Sequence, residues 1–224
     1  MENKPAEKKT KVALISSTKA VFGPMEAAFA EIFPEAQVMH ILDETLLEDF
    51  RREGGLSAHS RAKALQMALT AQKAGVDGIL FTCSTLSPAV DDLRPFITLP
   101  MVKIDEPVIY HLVQNFKDIG LLATAETVLK SVENQFKKIA QRLSRQISLH
   151  SFVKGDAWPL LAKNPEGFYK IMAEYASPLG EKHEALLLTQ VSIAPARDFV
   201  KEKIKSKIFV SPSFAVQALK EVLS

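Results

Sequence analysis

The sequence predicts an α/β protein made of two similar doubly wound parallel-sheet halves, related by a pseudo-twofold, with a ligand cleft between them. Three observations carry that expectation. Short apolar runs alternate with longer amphipathic ones, the order that builds sheets with helices on both faces. Most of the short runs are too uniformly apolar to have a wet face, as strands of a covered parallel sheet are. The pattern then restarts: Lys11-Val-Ala-Leu-Ile-Ser is answered by Ile119-Gly-Leu-Leu-Ala-Thr at an offset of about 108 residues. At that offset Thr82-Cys-Ser is answered by Gln190-Val-Ser, and Pro100-Met-Val roughly by Ile208-Phe-Val. Self-similarity at one spacing marks duplicated units.

Taken in order, residues 1–10 form a polar, lysine-bearing leader without an apolar run, expected to be disordered and not a signal peptide. The first half, 11–104, opens with a strand at Lys11–Ile15, its end marked by Ser16, Ser17 and Thr18. Gly23-Pro24 starts a helix with Met25, Ala28, Phe29 and Ile32 on one face, and Pro34 stops it. A strand at Gln37–Leu42, a helical segment from Asp43 to Arg52 and a long helix from Ser57 to Ala74, closed by Gly75, come next. A buried strand at Ile79–Thr82 leads to Cys83, and a short helix follows, with Ser87 as N-cap and Pro88 in its first turn. Met101–Ile104 is the fourth strand.

The second half, 105–224, starts with the Asp105-Glu106-Pro107 helix, whose acids suit its dipole. A strand at Asp118–Thr124, a helix from Glu126 to Leu143 and a strand at Gln146–His150 are expected next. Beyond irregular chain around Trp158-Pro159, a helix at Pro165–Ala176 precedes strands at Ala185–Thr189 and Lys207–Val210. Pro212 opens the closing helix, Ser213–Leu223, which is free to pack back on the first half.

Nearly half of the 224 residues are apolar, ample for a core. A net charge of +2 gives no electrostatic support for nucleic acid or a membrane surface, and no run approaches the ~20 apolar residues of a membrane span. The single cysteine forbids an internal disulfide and suits a reducing cytoplasm. Oligomeric state stays open. No Gly-rich nucleotide motif appears.

That cysteine is the centre of the functional reading. Cys83 stands just past a strand, where open α/β sheets hold their ligands, and backbone amides there favour thiolate over thiol. Ser84 and Thr85 follow it directly.

At these residues the chain resembles the aspartate/glutamate/hydantoin racemase superfamily, over essentially its whole length after the leader. The matching stretches are Gly23–Met25, L-D-E-T-L (Leu42–Leu46), T-C-S-T-L-S-P-A-V-D (Thr82–Asp91), K-I-D-E-P (Lys103–Pro107), I-G-L-L-A-T-x-x-T (Ile119–Thr127) and L-L-L-T-Q-V-S-I-A (Leu186–Ala194). The resemblance implies a cofactor-independent enzyme acting on a small carboxylate. In such racemases a cysteine from each domain flanks the α-carbon; one thiolate removes the proton and the opposite thiol returns one. Carried over, Cys83 is the first cysteine, and Ser84 and Thr85 hold the substrate carboxylate. Ser16 and Ser17 fall where glutamate racemases have an aspartate, so nothing obvious there holds an ammonium. Thr124 and Thr127 match a carboxylate loop. The second cysteine is expected within Gln190-Val191-Ser192, at Val191, which leaves one of two bases. A racemase-like isomerase, a one-thiol decarboxylase-like enzyme and a non-catalytic carboxylate-binding protein all remain open, and a cysteine hydrolase lacks a recognisable His/Asn partnership.

No two histidines have metal-ligand spacing, so no metal site is expected. His40 and His150 read as hydrogen-bonded structural residues near strand ends, and His59 as exposed. Asp43 and Glu44 either line the cleft or charge a helix start.

Overall fold

The computed structural model describes residues 9–224, so the expectation of a disordered leader falls mainly on residues outside the described ones. Two four-stranded parallel sheets form the protein. The first is ordered β2-β1-β3-β4, from β1 (Lys11–Ser16), β2 (Gln37–Leu42), β3 (Gly78–Phe81) and β4 (Met101–Lys103). The second repeats that order, β6-β5-β7-β8, from β5 (Asp118–Ala123), β6 (Ser148–Val153), β7 (Ala185–Leu188) and β8 (Ile208–Val210). Among the described residues, ten α-helices flank them: α1 (Phe22–Ile32), α2 (Thr45–Glu53), α3 (Ala58–Lys73), α4 (Ala89–Leu93), α5 (Glu106–Asn115), α6 (Glu126–Arg142), α7 (Trp158–Leu161), α8 (Pro165–Lys182), α9 (Glu202–Lys205) and α10 (Ser211–Leu223).

Each sheet is covered on both faces, which is why its central strands carry no polar side. In β1, Ala13 and Ile15 join a core under α2 and α3, while Val12 and Leu14 face α1 and α10. In β5, Ile119 and Leu121 join α5 and α6, while Leu122 faces α8. The helices after the fourth strands cross over. α5 gives Val108, Ile109 and Leu112 to the core of the second sheet, and α10 gives Ala215, Val216 and Leu219 to that of the first. Gly78 makes room for this crossing: a Cβ there would lie 3.1 Å from Leu223 and 3.2 Å from Leu219.

Strand register fixes the repeat at 107 residues, not 108. Val12 pairs with Gly78 and Ile119 with Ala185; Ile79 pairs with Met101 and Leu186 with Ile208. The strand-end threonines agree. Thr82 donates its amide and hydroxyl to the Ile15 carbonyl at 3.0 and 3.1 Å, and Thr189 donates both to the Leu122 carbonyl at 3.0 Å. A one-residue slip would exchange the two faces of every strand, so the structural equivalence leaves no freedom here.

Some boundaries depart from expectation. β6 lies three residues beyond the predicted end at its carboxyl side, at Val153. α8 runs to Lys182 through Pro178, and a Cβ at Gly180 would make only an ordinary contact, 3.5 Å from Ile208 Cγ1. A nine-residue 3-10 helix, Val191–Phe199, was not foreseen. Ser87 does not cap α4; its hydroxyl donates to the Cys83 carbonyl at 3.3 Å, and the cap position is Pro88.

Candidate active site

The carboxyl ends of both sheets open on one cavity of about 270 Å³. Cys83, Ser84 and Thr85 reach it from the turn after β3, and Ser17 from the end of β1. The second half supplies Thr124 and Thr127 from the end of β5 and the start of α6, and Gln190, Val191 and Ser192 from the chain after β7. Nine of the ten expected site residues therefore meet in one place. Ser16 does not: it is fully buried, and its hydroxyl faces Thr82 Oγ1 at 2.8 Å. Side chains alternate along β1, so only one of two consecutive serines can face the cavity.

The 107-residue register reassigns the counterpart of Cys83. T-C-S-T-L-S-P (82–88) superposes on T-Q-V-S-I-A-P (189–195), so Gln190 stands where a second cysteine was sought, and Val191 matches Ser84. The neighbours repeat too. Against the effect of burial, the Ser17 hydroxyl pulls the Cys83 thiol pKa down, and the equivalent of Ser17, Thr124, donates its amide (2.7 Å) and hydroxyl (3.0 Å) to Gln190 Oε1. The amide donor fixes which end of the Gln190 side chain is oxygen, leaving its NH₂ for other partners. Val191 is 3 % exposed and packs into the first half's core.

The thiol is half-buried. Burial pushes it up from its ordinary value, against the Ser17 hydroxyl and the Leu86 and Thr85 amides, which pull it down; a charged Asp105 adds to the rise. This runs against the expectation of a favoured thiolate, because desolvation outweighs the donors. Asp105 is fully buried behind the loop. Its Oδ1 accepts from Ser211 Oγ at 2.8 Å, its Oδ2 has no partner, and burial raises its carboxyl to about 6.

Hydroxyl commitments narrow the list of ligand donors. Ser84 gives its proton to the Thr189 carbonyl at 2.9 Å, and its own carbonyl accepts from Ser131, so this residue joins the two halves. Thr124 gives its proton to Gln190. Thr85, Thr127 and Ser192 line the cavity with hydroxyls not engaged by the described side chains. Arg51, on α2, is the one charged side chain on the cavity wall, and no acid among the described residues pairs with it. Sequence reasoning missed Arg51, since nothing in Arg51-Arg52 distinguishes the cleft-facing residue from the one that binds Asp49 at 2.5 Å. It also missed Trp158, whose place in irregular chain beside a strand end was the available signal.

The remaining candidates take structural roles. Asp43 accepts from the Thr45 amide at 3.0 Å at the start of α2, while Glu44 lines a neighbouring chamber and not this cavity. His40 lies within β2, its ring 4.0 Å from that of Phe22. His59 is exposed. Asp118, His150 and His183 do gather at the opposite end of the second sheet, from positions too far apart for spacing to show. Their geometry is that of an ion-pair cluster. The imidazoles stack 4.6 Å apart and address separate oxygens of Asp118, each at 2.9 Å.

No described helix is long and apolar enough to cross a membrane. No sequence among the curated proteins matches this chain. Among solved structures it is similar to the glutamate racemase of Bacillus anthracis (14% identity, TM-score 0.74, covering 97% of this chain and 82% of that one). It is also similar to the aspartate racemase of Picrophilus torridus (14%, TM-score 0.73, 96% and 94%) and the allantoin racemase of Klebsiella pneumoniae (16%, TM-score 0.70, 96% and 87%). At these identities the likeness speaks to fold. The model of the Asp/Glu/Hydantoin racemase family matches residues 12–219, and with that span covered the chain belongs to this family of isomerases.

Proposed function

We propose that the cleft binds a small carboxylate and that Cys83 moves a proton on one face of its α-carbon, without a cofactor. The observation that carries this reading is Gln190 at the position equivalent to Cys83. A carboxamide donates a hydrogen bond but does not ionise near neutral pH, so one wall holds a base and the other only a donor. In the forward step the thiolate takes the α-proton, and the C–H electron pair moves into the carboxylate to give an enediolate. In the reverse step the thiol returns the proton to the same face, so protons and electrons balance within substrate and enzyme. Thr85, Thr127 and Ser192 are the hydroxyls free to hold the carboxylate and its more charged enediolate. Donors of this kind are worth roughly 3 kcal/mol each in a preorganised site. Arg51 adds the positive charge that draws an anion in.

The raised thiol favours a second reading, a carboxylate-binding protein without turnover. Alkylation by iodoacetamide as a function of pH, with and without propionate, separates the two. The enzymatic reading expects Cys83 to react with a profile shifted above that of a free thiol and to be protected by propionate. It also expects solvent deuterium to enter the α-position of a bound carboxylate, with Cys83→Ala lowering that exchange by about 10²–10⁴-fold. Protection without any exchange supports the binding protein.

A further inference from the structure

A second cavity, of about 380 Å³, adjoins the first and shares Thr18, Leu47 and Trp158 with it. Like the thiol cleft, it is walled by both halves: Ala20 and Leu47 on one side, Leu161 and Tyr169 on the other. Its character differs. The cleft sets a group of hydroxyls and Arg51 among apolar residues, whereas the chamber's inner walls are apolar and aromatic, and its charged residues, Lys19 and Glu44, are exposed. Trp158, Tyr169, Leu47 and Ala20 are all only half-buried, so apolar surface stands open beside a polar site. The aromatic wall is held in place from behind. Phe168, fully buried, meets the Trp158 ring edge-on at 6.5 Å and the Tyr169 ring at 5.6 Å.

We infer that this chamber takes an apolar, aromatic substituent of the carboxylate whose head lies against Cys83. The inference rests on the carboxylate reading of the cleft and adds a substrate class, an aryl-bearing acid. A polar or charged substituent would find charged partners only at the exposed rim, at Lys19 and Glu44, and would lose water against the apolar walls. A phenyl ring buries its area against Trp158 and Tyr169, a gain of roughly ten- to a hundredfold in affinity. Together the cavities have the size and the mixture of a few polar groups with apolar walls that a small-molecule site needs.

The test compares propionate with 2-phenylpropionate as protectants of Cys83 against iodoacetamide. The inference expects 2-phenylpropionate to half-protect at a concentration roughly ten- to a hundredfold lower. Ala162→Trp, a substitution at an exposed position on the chamber wall, should abolish that advantage and leave protection by propionate unchanged. Tyr169→Ala should shrink it and serves if the first variant does not fold. Equal protection by the two acids in the wild type, or an advantage that survives both variants, overturns the chamber while the carboxylate reading stands. If neither acid protects, the cleft reading falls and takes the chamber with it.

Discussion

The two strand-to-helix loops, 82–88 and 189–195, are the most informative pair of regions in the molecule. Their leading threonines do the same work, each closing its loop onto the carbonyl at the end of the central strand. The next residue differs in kind: Cys83 can carry a proton, while Gln190 has its oxygen tied to Thr124. The one after differs in direction of service, since Ser84 bonds to the second half and Val191 packs into the first. Backbone geometry has been duplicated and chemistry has not. A scaffold that repeats strand for strand can still present two unlike walls to one ligand.

The largest effect on stability is expected where the halves differ behind the site. Register places Asp105 opposite Pro212, so only the first half buries a carboxyl at the end of its fourth strand. Its folded value, about 6, lies above the unfolded 3.8. The folded state therefore holds the proton more tightly, and the contribution of Asp105 to stability falls as pH rises from about 4 to about 6, then stays level. Asp105→Asn keeps an acceptor for Ser211 and removes the buried charge. It should leave stability little changed at pH 4 and raise it above pH 6 by up to about 3 kcal/mol, read from denaturant midpoints. A variant less stable at pH 7 would mean that Asp105 is ionised by design and paired through water.

A smaller effect is expected on the central strands, where Ala13 in β1 matches Gly120 in β5. A Cβ at Gly120 would lie 2.9 Å from Leu186 Cδ1 and 3.1 Å from His183 Cδ2. Gly120→Ala should cost about 1–3 kcal/mol, the range for overpacking, although alanine is the native residue at the equivalent place. Gly120→Ala combined with His183→Ala should recover part of that loss.

The smallest effect concerns the strand starts. Asp77 accepts from the Lys11 amide at 2.8 Å, and Glu184 accepts from the equivalent Asp118 amide at 3.2 Å, so that feature repeats. The Asp118 cluster does not, because Lys11 is its equivalent. Burial pushes Asp118 up, but the His183 bond and the His183 and His150 charges outweigh it and hold the carboxyl below its usual value. The stability it contributes is present above the unfolded value, near 4, and is lost as pH falls through the lower folded one. Asp118→Asn should cost no more than about 1 kcal/mol at pH 6, since the pair is partly exposed, and progressively less as pH falls through the folded value.

How much of this was legible follows from burial. β1, β3, β5 and β7 are central and covered on both faces, so their apolar runs announced them; β6 is an edge strand whose Ser148, His150 and Ser151 are exposed, and it was misplaced. The 3-10 helix at 191–199 carries Pro195 and no side-chain cap, so no start signal marked it. The slip from 107 to 108 has a chemical origin. At 108, hydroxyl residues align by type, Ser16 with Thr124 and Ser84 with Ser192, whereas backbone pairing aligns Ser17 with Thr124 and Thr85 with Ser192. Both registers match hydroxyl to hydroxyl, so residue type could not choose between them and the strand pairing did.

That one-residue difference is the account's central claim, and it can be measured on the α-carbon of a chiral carboxylate that protects Cys83. Wild type, Gln190→Cys and Val191→Cys are incubated with one enantiomer in deuterated water, and label and handedness are read together. The account predicts label without inversion in the wild type, label with inversion in Gln190→Cys, where a thiol now faces Cys83, and no inversion in Val191→Cys, whose thiol is buried in the first half's core. Inversion by the wild type, or by Val191→Cys and not Gln190→Cys, would contradict it.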